Sequence, residues 1–250
     1  VDIGNTTIGL VFSREGQFVS KFSLACRKDK VEDEYYSLFR HLLKDHLHDE
    51  IDIICVSSVV PSITTAVCNA LNRIYKNTKQ LIIKPGVKTG VLFKIDNIQE
   101  LGADLVCDIV ALKQKFSNSA VAIDLGTATK FLLLDKDGVF TGCAIAPGLQ
   151  QAHNSLCNNA SLLPEVDLAM PKNVLGKNTF ESIKSGSILG HALMVKSMCE
   201  EFEKEVGYPL KKIITGGNSI VIKEFLSKYG FIYDEYLVYE GLSVICEKNK

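Results

Sequence analysis

The residues best placed to do chemistry stand between two apolar runs, AVAI and FLLLD, within Ala120 to Asp135. They are Asp124, Gly126, Thr127 and Thr129. A glycine lets backbone N–H groups approach an oxyanion closely, threonine hydroxyls donate hydrogen bonds, and a carboxylate holds a cation or a metal-bound water. A turn of this kind suits a phosphate, although an ordinary hairpin is the plainer reading of this stretch alone. The first residues repeat the grammar: Asp2, an apolar Ile3, Gly4, then Asn5, Thr6 and Thr7 before the apolar Ile8 and the small Gly9. Two Asp-x-Gly turns about half a chain apart predict a duplicated unit, each half offering one phosphate hairpin to a cleft that faces one nucleotide.

Other candidates are weaker one by one. Asp104 follows Gly102 and Ala103 in the first turns of a predicted helix over 97–115, where it is either a structural anion at a helix N-terminus or a general base. Thr215-Gly216-Gly217-Asn218 joins a predicted strand to a helix, and a double glycine there lets a flat ligand such as adenine lie against bare backbone. Thr179, Ser182 and Ser185 place hydroxyls on the early turns of another helix, where capping explains them equally well. Pro85 to Gly90 is a glycine-bounded turn with Lys88 and Thr89 at its tip. His41, His46 and His48 lack metal-ligand spacing and read as solvated.

These residues need elements to hold them. The chain predicts a hairpin from Val1 to Cys26 turning at Glu15-Gly16, a helix over 31–48 and a buried strand over 51–60. The end of that strand, Ser57-Ser58-Val59-Val60, presents a loop to a cleft. A helix opened by Pro61 and a strand near Gln80–Lys84 follow. The second half adds the central strand–turn–strand with Asp137-Gly138, a helical region over 149–163, an irregular stretch from Pro164 to Lys177, and a long helix from Asn178 to about Val206. A strand at 212–214, a helix, and a short strand plus final helix in YLVYEGLSVICEK complete it. Alternating strands and helices predict an α/β fold. The polar Phe116–Ser119 stretch marks a boundary between domains 1–116 and 117–250.

Composition bounds the function. The chain has 250 residues, 46% of them hydrophobic and 23% charged, which supports a folded core and excludes general disorder. A formal net charge of −1, with lysines scattered among acids, offers nucleic acid no footprint. The 8 cysteines form no C-x-x-C pair and read as buried free thiols. Without a signal peptide or a spanning apolar run, the expected place is the cytoplasm and no membrane partner is expected. The triplets that begin at Asn5 and Asn159 then carry no glycosylation meaning. The chain opens at Val1 inside a strand, so a slightly longer natural N-terminus is expected.

Two Asp-x-Gly hairpins followed by a Thr-Gly-Gly-Asn junction resemble the actin-like ATPase superfamily. DIGNT at 2–6, PGVKTG at 85–90, LGAD at 101–104, DLGTAT at 124–129, GCAIAPG at 142–148, NTFESIKSG at 178–186 and TGGN at 215–218 together resemble a type III pantothenate kinase. The resemblance covers nearly the whole chain. It implies two similar actin-like, ribonuclease H-like domains, with mixed sheets flanked by helices and duplicated phosphate hairpins. It also implies transfer of the ATP γ-phosphoryl group to pantothenate, giving 4'-phosphopantothenate on the way to coenzyme A.

Residue by residue, the resemblance implies that Asp2, Ile3, Gly4, Asn5, Thr6, Thr7, Ile8 and Gly9 hold the ATP phosphates, with Asp2 close to Mg²⁺ and its waters. Thr127 meets the nucleotide, and Gly216, Gly217 and Asn218 border the adenosine. Asp124 coordinates a monovalent cation, K⁺ or NH4⁺. Asp104 is the base that takes the pantothenate hydroxyl proton. Gly102, Ala103, Leu105 and Ile95 belong to the pantothenate side, and Thr179 reaches pantothenate from a second subunit of a homodimer whose sites lie near the interface.

Three positions depart from the family's pattern. Leu105 stands where an arginine is usual, Ile95 where a tyrosine is expected, and Lys130 where a threonine or other small residue follows the GTAT run. Lys130 either replaces the lost arginine's charge or points away from the site. An intact ATP side with an altered acceptor side fits a pantothenate kinase. It also fits a catalytically weak, nucleotide-binding paralogue with a regulatory role, or a kinase of another small hydroxylated acceptor.

Overall fold

A computed structural model describes residues 1–159 and 163–250. The end of the predicted helical region over 149–163 and most of the Asn159 triplet fall on or beside residues 160–162, outside the described residues. The chain divides into two compact units, one of Val1–Gly90, Asn97–Ala111 and Val238–Lys250, the other of Val91–Asp96 and Leu112–Leu237.

The first unit opens with β1 (Asp2–Ile3), β2 (Thr7–Arg14) and β3 (Gln17–Ala25). Glu15 and Gly16, at φ 52° and 78°, make the tight turn between β2 and β3 with the twist a hairpin needs. There follow α1 (Glu32–Leu42), β4 (Ile53–Ser58), α2 (Pro61–Ile74) and β5 (Lys79–Ile82). The sheet order is β3-β2-β1-β4-β5, antiparallel through the first three strands and parallel from β1 outward. Ile3, Ile8, Tyr35, Phe39 and Leu43 are fully buried beneath the helices. Each such side chain stabilises the fold by roughly 1.5–3 kcal/mol. Helix α1 is shorter than the predicted 31–48, because Leu43 leaves the helical conformation at φ −100° and ψ 23° to enter the core, and only a 3₁₀ turn follows.

The strand β6 (Leu92–Phe93) belongs to the second unit, and the boundary between units falls within α3 (Ala103–Phe116) after Ala111. The helix predicted from Asn97 starts later. Residues 98–100 form one 3₁₀ turn capped by Asn97, and Leu101 is extended at φ −78° and ψ 121°. Asp104 thereby lies in the first turn of α3.

The second unit contains β7 (Ala120–Leu125), β8 (Ala128–Leu134), β9 (Val139–Pro147), α4 (Leu149–Asn159), α5 (Thr179–Ile183), α6 (Gly190–Val206), β10 (Lys211–Thr215), α7 (Ser219–Ser227) and β11 (Phe231–Tyr233). Its sheet runs β11-β10-β7-β8-β9-β6. Apart from β6 this repeats the first sheet: an antiparallel strand triplet whose first strand continues into two parallel strands. The duplication read from the two Asp-x-Gly turns is therefore present in the topology. Strand β7 is central, and Ala120, Val121, Ala122, Ile123 and Leu125 are fully buried, which is why its sequence is apolar on both faces.

The predicted long helix from Asn178 is interrupted. A π-helical segment at Lys184–Leu189 separates α5 from α6, with Gly190 N–H donating to Ser185 O five residues back. Glycines at 186 and 190 favour α-helix weakly, and the Ser185 hydroxyl donates instead to Val174 O. At the C-terminus no strand forms in YLV; the short strand is β11, and α8 (Leu237–Lys248) follows as one helix. From Val238 onward α8 packs with the first unit, where Gly241 lies against the Cys107 carbonyl in a space that no Cβ could share. Among the described residues no helix is long and apolar enough to cross a membrane.

Candidate active site

In the first unit, the turn between β1 and β2 is closed by Gly4 N–H donating to Thr7 O at 2.9 Å. Ile3 and Ile8 anchor its two sides in the core, and Asn5, Thr6 and Thr7 are left exposed at the tip. Lys28 Nζ donates to Asn5 Oδ1 at 3.0 Å, so a cation stands beside this turn. Asp2 pairs with Ser57 across the parallel β1–β4 ladder, and the fully buried Ser57 donates from Oγ to Asp2 Oδ1 at 2.9 Å. That bond fixes the carboxylate's direction. Ser57 was legible only as part of a strand end that presents a loop; its link to Asp2 depends on strand register.

Asp104 is half-buried in the first turn of α3, and the Leu105 N–H donates to its Oδ1 at 2.9 Å. The positive end of the helix dipole lies at this first turn. Gly102 makes the approach possible: a Cβ there would stand 2.5 Å from Asp104 Oδ1 and 3.3 Å from Val59 Cγ1. Asp2 and Asp104 both act electrostatically on the buried Cys107 thiol. Its pKa is pushed well up, first by burial and then by the carboxylates of Asp108, Asp2 and Asp104. Leu105, where an arginine is usual, is 7% exposed and turns into the core.

In the second unit, β7 and β8 pair so that Asp124 stands opposite Lys130 and Leu125 opposite Thr129, leaving Gly126, Thr127 and Ala128 as the loop. Thr127 is exposed at its tip. Asp124 also pairs with Thr215 on β10, which delivers the Thr215–Asn218 junction to the same place. Gly216 takes φ 87°, and a Cβ on it would lie 2.5 Å from Asp124 Oδ1. Asn218 closes the junction, its N–H donating to Leu125 O at 3.0 Å and its Nδ2 to Gly126 O at 3.1 Å. Gly126, Gly216 and Asn218 are thus one tied assembly around Asp124, with Gly217 exposed beside it. Lys130 points toward this assembly, its Nζ 2.7 Å from Asp124 Oδ2.

The remaining candidates lie elsewhere in that unit. Ile95 is half-buried just beyond β6, and Thr179 is exposed at the start of α5. The helix cap there is Asn178, whose Oδ1 accepts from Glu181 N–H at 3.0 Å. Sequence reasoning missed two buried histidines. His191 Nε2 lies 2.9 Å from Thr129 Oγ1, and burial lowers its pKa. His153 bridges the Ser187 hydroxyl and the Val166 carbonyl. His46 is not solvated as expected, because it stacks on Phe12 and bonds Ser20 and Asp49. The cysteines are free thiols; Cys68, Cys107, Cys199 and Cys246 are buried, and Cys143 is exposed. Among the described residues no three His, Cys, Asp or Glu side chains gather into a metal cage.

Comparison with known proteins adds to this geometry. The family described as type III pantothenate kinase matches residues 1–201. A type III pantothenate kinase of Dictyoglomus turgidum is 34% identical over 254 residues, covering 100% of this chain and 98% of that protein. One from Acholeplasma laidlawii is 37% identical over 248 residues, covering 99% and 97%. Among solved structures, a Campylobacter jejuni protein described as a conserved Baf family transcriptional activator superposes with a TM-score of 0.59 at 19% identity, covering 99% of this chain and 96% of that one. Component A of the Acidaminococcus fermentans (R)-2-hydroxyglutaryl-CoA dehydratase gives 0.50 at 14% identity, covering 100% and 97%. These structural likenesses speak to the fold alone, an α/β fold of two mixed sheets flanked by helices.

Proposed function

This chain belongs to the type III pantothenate kinase family, and from that premise we infer that it transfers the ATP γ-phosphoryl group to the primary hydroxyl of pantothenate on the way to coenzyme A. The observation that carries the reading is the retained LGAD turn. Gly102 leaves room for the Asp104 carboxylate, and the Leu105 N–H at the α3 N-terminus orients it as a proton acceptor.

Phosphoryl transfer needs in-line placement and charge neutralisation more than covalent chemistry. Asp104 accepts the hydroxyl proton as the oxygen attacks the γ-phosphorus, and the bond from that phosphorus to the β,γ-bridging oxygen breaks so that ADP leaves. Backbone amides and hydroxyls of residues 2–9, with the Lys28 ammonium near Asn5, receive phosphate oxygens. Thr127 meets the nucleotide, and Gly216, Gly217 and Asn218 border its adenosine. Gly102, Ala103 and Ile95 belong to the acceptor side, and Leu105, turned into the core, belongs to it only as the neighbour of Asp104. With Leu105 buried, that position supplies no cation to the transferring group.

Mg²⁺ arrives with ATP and neutralises charge on its phosphates. Asp2 fits a role toward its waters, being a single half-buried carboxylate oriented by Ser57. A free K⁺ or NH4⁺ at Asp124 fits less well, since Oδ2 already takes the Lys130 ammonium. No step is assigned to such an ion.

The reading includes a homodimer in which Thr179 of one copy serves the pantothenate of the other, and a cytoplasmic location where ATP is at hand. In support, Val174, Leu175 and Phe180 beside Thr179 are 70%, 83% and 53% exposed, an apolar group that a second copy would cover.

The test is pantothenate-dependent ADP release from Mg-ATP. Native chain should turn over, and Asp104→Asn should lose about 10²–10⁴-fold in kcat while still binding ATP. Native chain that binds ATP but releases no ADP with pantothenate would overturn the assignment.

A further inference from the structure

The Asp124–Lys130 pair is built by the hairpin itself. The three-residue loop sets Asp124 opposite Lys130 on neighbouring antiparallel strands, so the two side chains share one face of the sheet. Their side chains are 15% and 16% exposed, and Nζ lies 2.7 Å from Oδ2. The other carboxylate oxygen rests against Gly216, where a Cβ would stand at 2.5 Å. One side of the carboxylate thus faces backbone and the other an ammonium, and among the described residues no group of three or more His, Cys, Asp or Glu side chains gathers into an ion site.

A lysine head is a compact, strongly hydrated point charge with three donors. It is an alkylated ammonium, and NH4⁺ is one of the two ions that the family resemblance brings to this carboxylate. We propose that the Lys130 ammonium stands in for the monovalent cation at Asp124, so that this kinase binds ATP without K⁺ or NH4⁺. The tether raises the local concentration of the charge, so free ions at ordinary concentrations do not displace it. A small residue at 130 would leave the same face of β8 open to an ion; lysine fills it.

The inference rests on the kinase reading, and its test separates the two. ATP affinity is measured by calorimetry for native chain and Lys130→Thr in KCl, NH4Cl and choline chloride at equal ionic strength. Native affinity should be the same within about twofold in all three salts, whereas Lys130→Thr should lose about tenfold or more in choline and recover in KCl or NH4Cl, the scale of one charge-assisted bond. A native chain whose affinity depends on K⁺ or NH4⁺ overturns the proposal without needing any variant. A variant indifferent to all three salts overturns it as well. If native chain binds ATP in none of them, the kinase reading fails, and thermal midpoints of the nucleotide-free protein decide the pairing. Loss in Lys130→Thr that K⁺ or NH4⁺ restores upholds it, and loss that neither restores overturns it.

Discussion

The hydroxyl of Tyr239 occupies the space where a Cβ on Gly9 would stand. Both residues belong to the first unit, one on α8 and the other on β2 beside the exposed turn at residues 5–7. The glycine is required by that approach rather than by its backbone angles. Gly9→Ala should therefore destabilise the fold by about 1–3 kcal/mol, the usual cost of overpacking. Tyr239→Phe in the same chain should recover only part of this, because the ring Cζ would still lie 3.1 Å from the new methyl. A double-mutant cycle on urea midpoints checks the coupling.

Gly216 is constrained twice. Its φ of 87° disfavours any side chain, and its would-be Cβ meets both the Asp124 carboxylate and the Leu125 carbonyl carbon, the latter at 2.7 Å. Gly216→Ala should cost about 1–3 kcal/mol from backbone conformation alone and more from the clash. Because the displaced groups belong to the nucleotide assembly, ATP affinity should fall with it. Gly142→Ala, on β9 and outside that assembly, meets nothing within 4 Å and serves as the control. Denaturant melts and calorimetric ATP titration on the pair measure both effects.

His191 gives the chain a pH dependence of predictable sign. Burial lowers its folded pKa below the ordinary 6.5. Between those two values the unfolded chain binds more protons than the folded one, so stability rises with pH there. Stability from this group should be fully present above pH 6.5 and lost as pH falls through the folded value. His191→Gln, which can keep a hydrogen bond to Thr129, should flatten that slope. Urea midpoints at about pH 7.5 and about pH 5.5 compare the two chains.

Thiol chemistry should be selective. Cys143 is exposed, whereas burial pushes Cys199 up to about 12 and Cys107 well above its ordinary value. The thiolate is the reactive form, so a maleimide under native conditions should label Cys143 first and leave Cys107 and Cys199 untouched. Mass spectrometry of a labelling time course reads the order directly. Early label on Cys107 would mean that α3 and α8 separate in solution.

The sequence resolved what is local. Apolar runs broken by Asp-x-Gly located β1, β2, β7 and β8, and Glu15-Gly16 and Asp137-Gly138 located their turns, because turn chemistry and strand periodicity act within a few residues. Where a prediction ran long, a local competitor had won. Leu43 left α1 for the core, Leu101 stayed extended before α3, and the glycines at 186 and 190 let a π segment into the long helix.

The sequence by itself thus determined that the chain is α/β, built twice on one plan, and of the type III pantothenate kinase family, since those facts are carried by short motifs in order. Only the tertiary structure decided what each motif residue touches. Lys130 faces Asp124 because the loop holds three residues; one residue more or fewer would turn it to the other face of the sheet. Ser57 reaches Asp2 and Tyr239 reaches Gly9 across spans that no local preference encodes. Those meetings follow from strand register and from the packing of distant elements, which are properties of the whole folded chain.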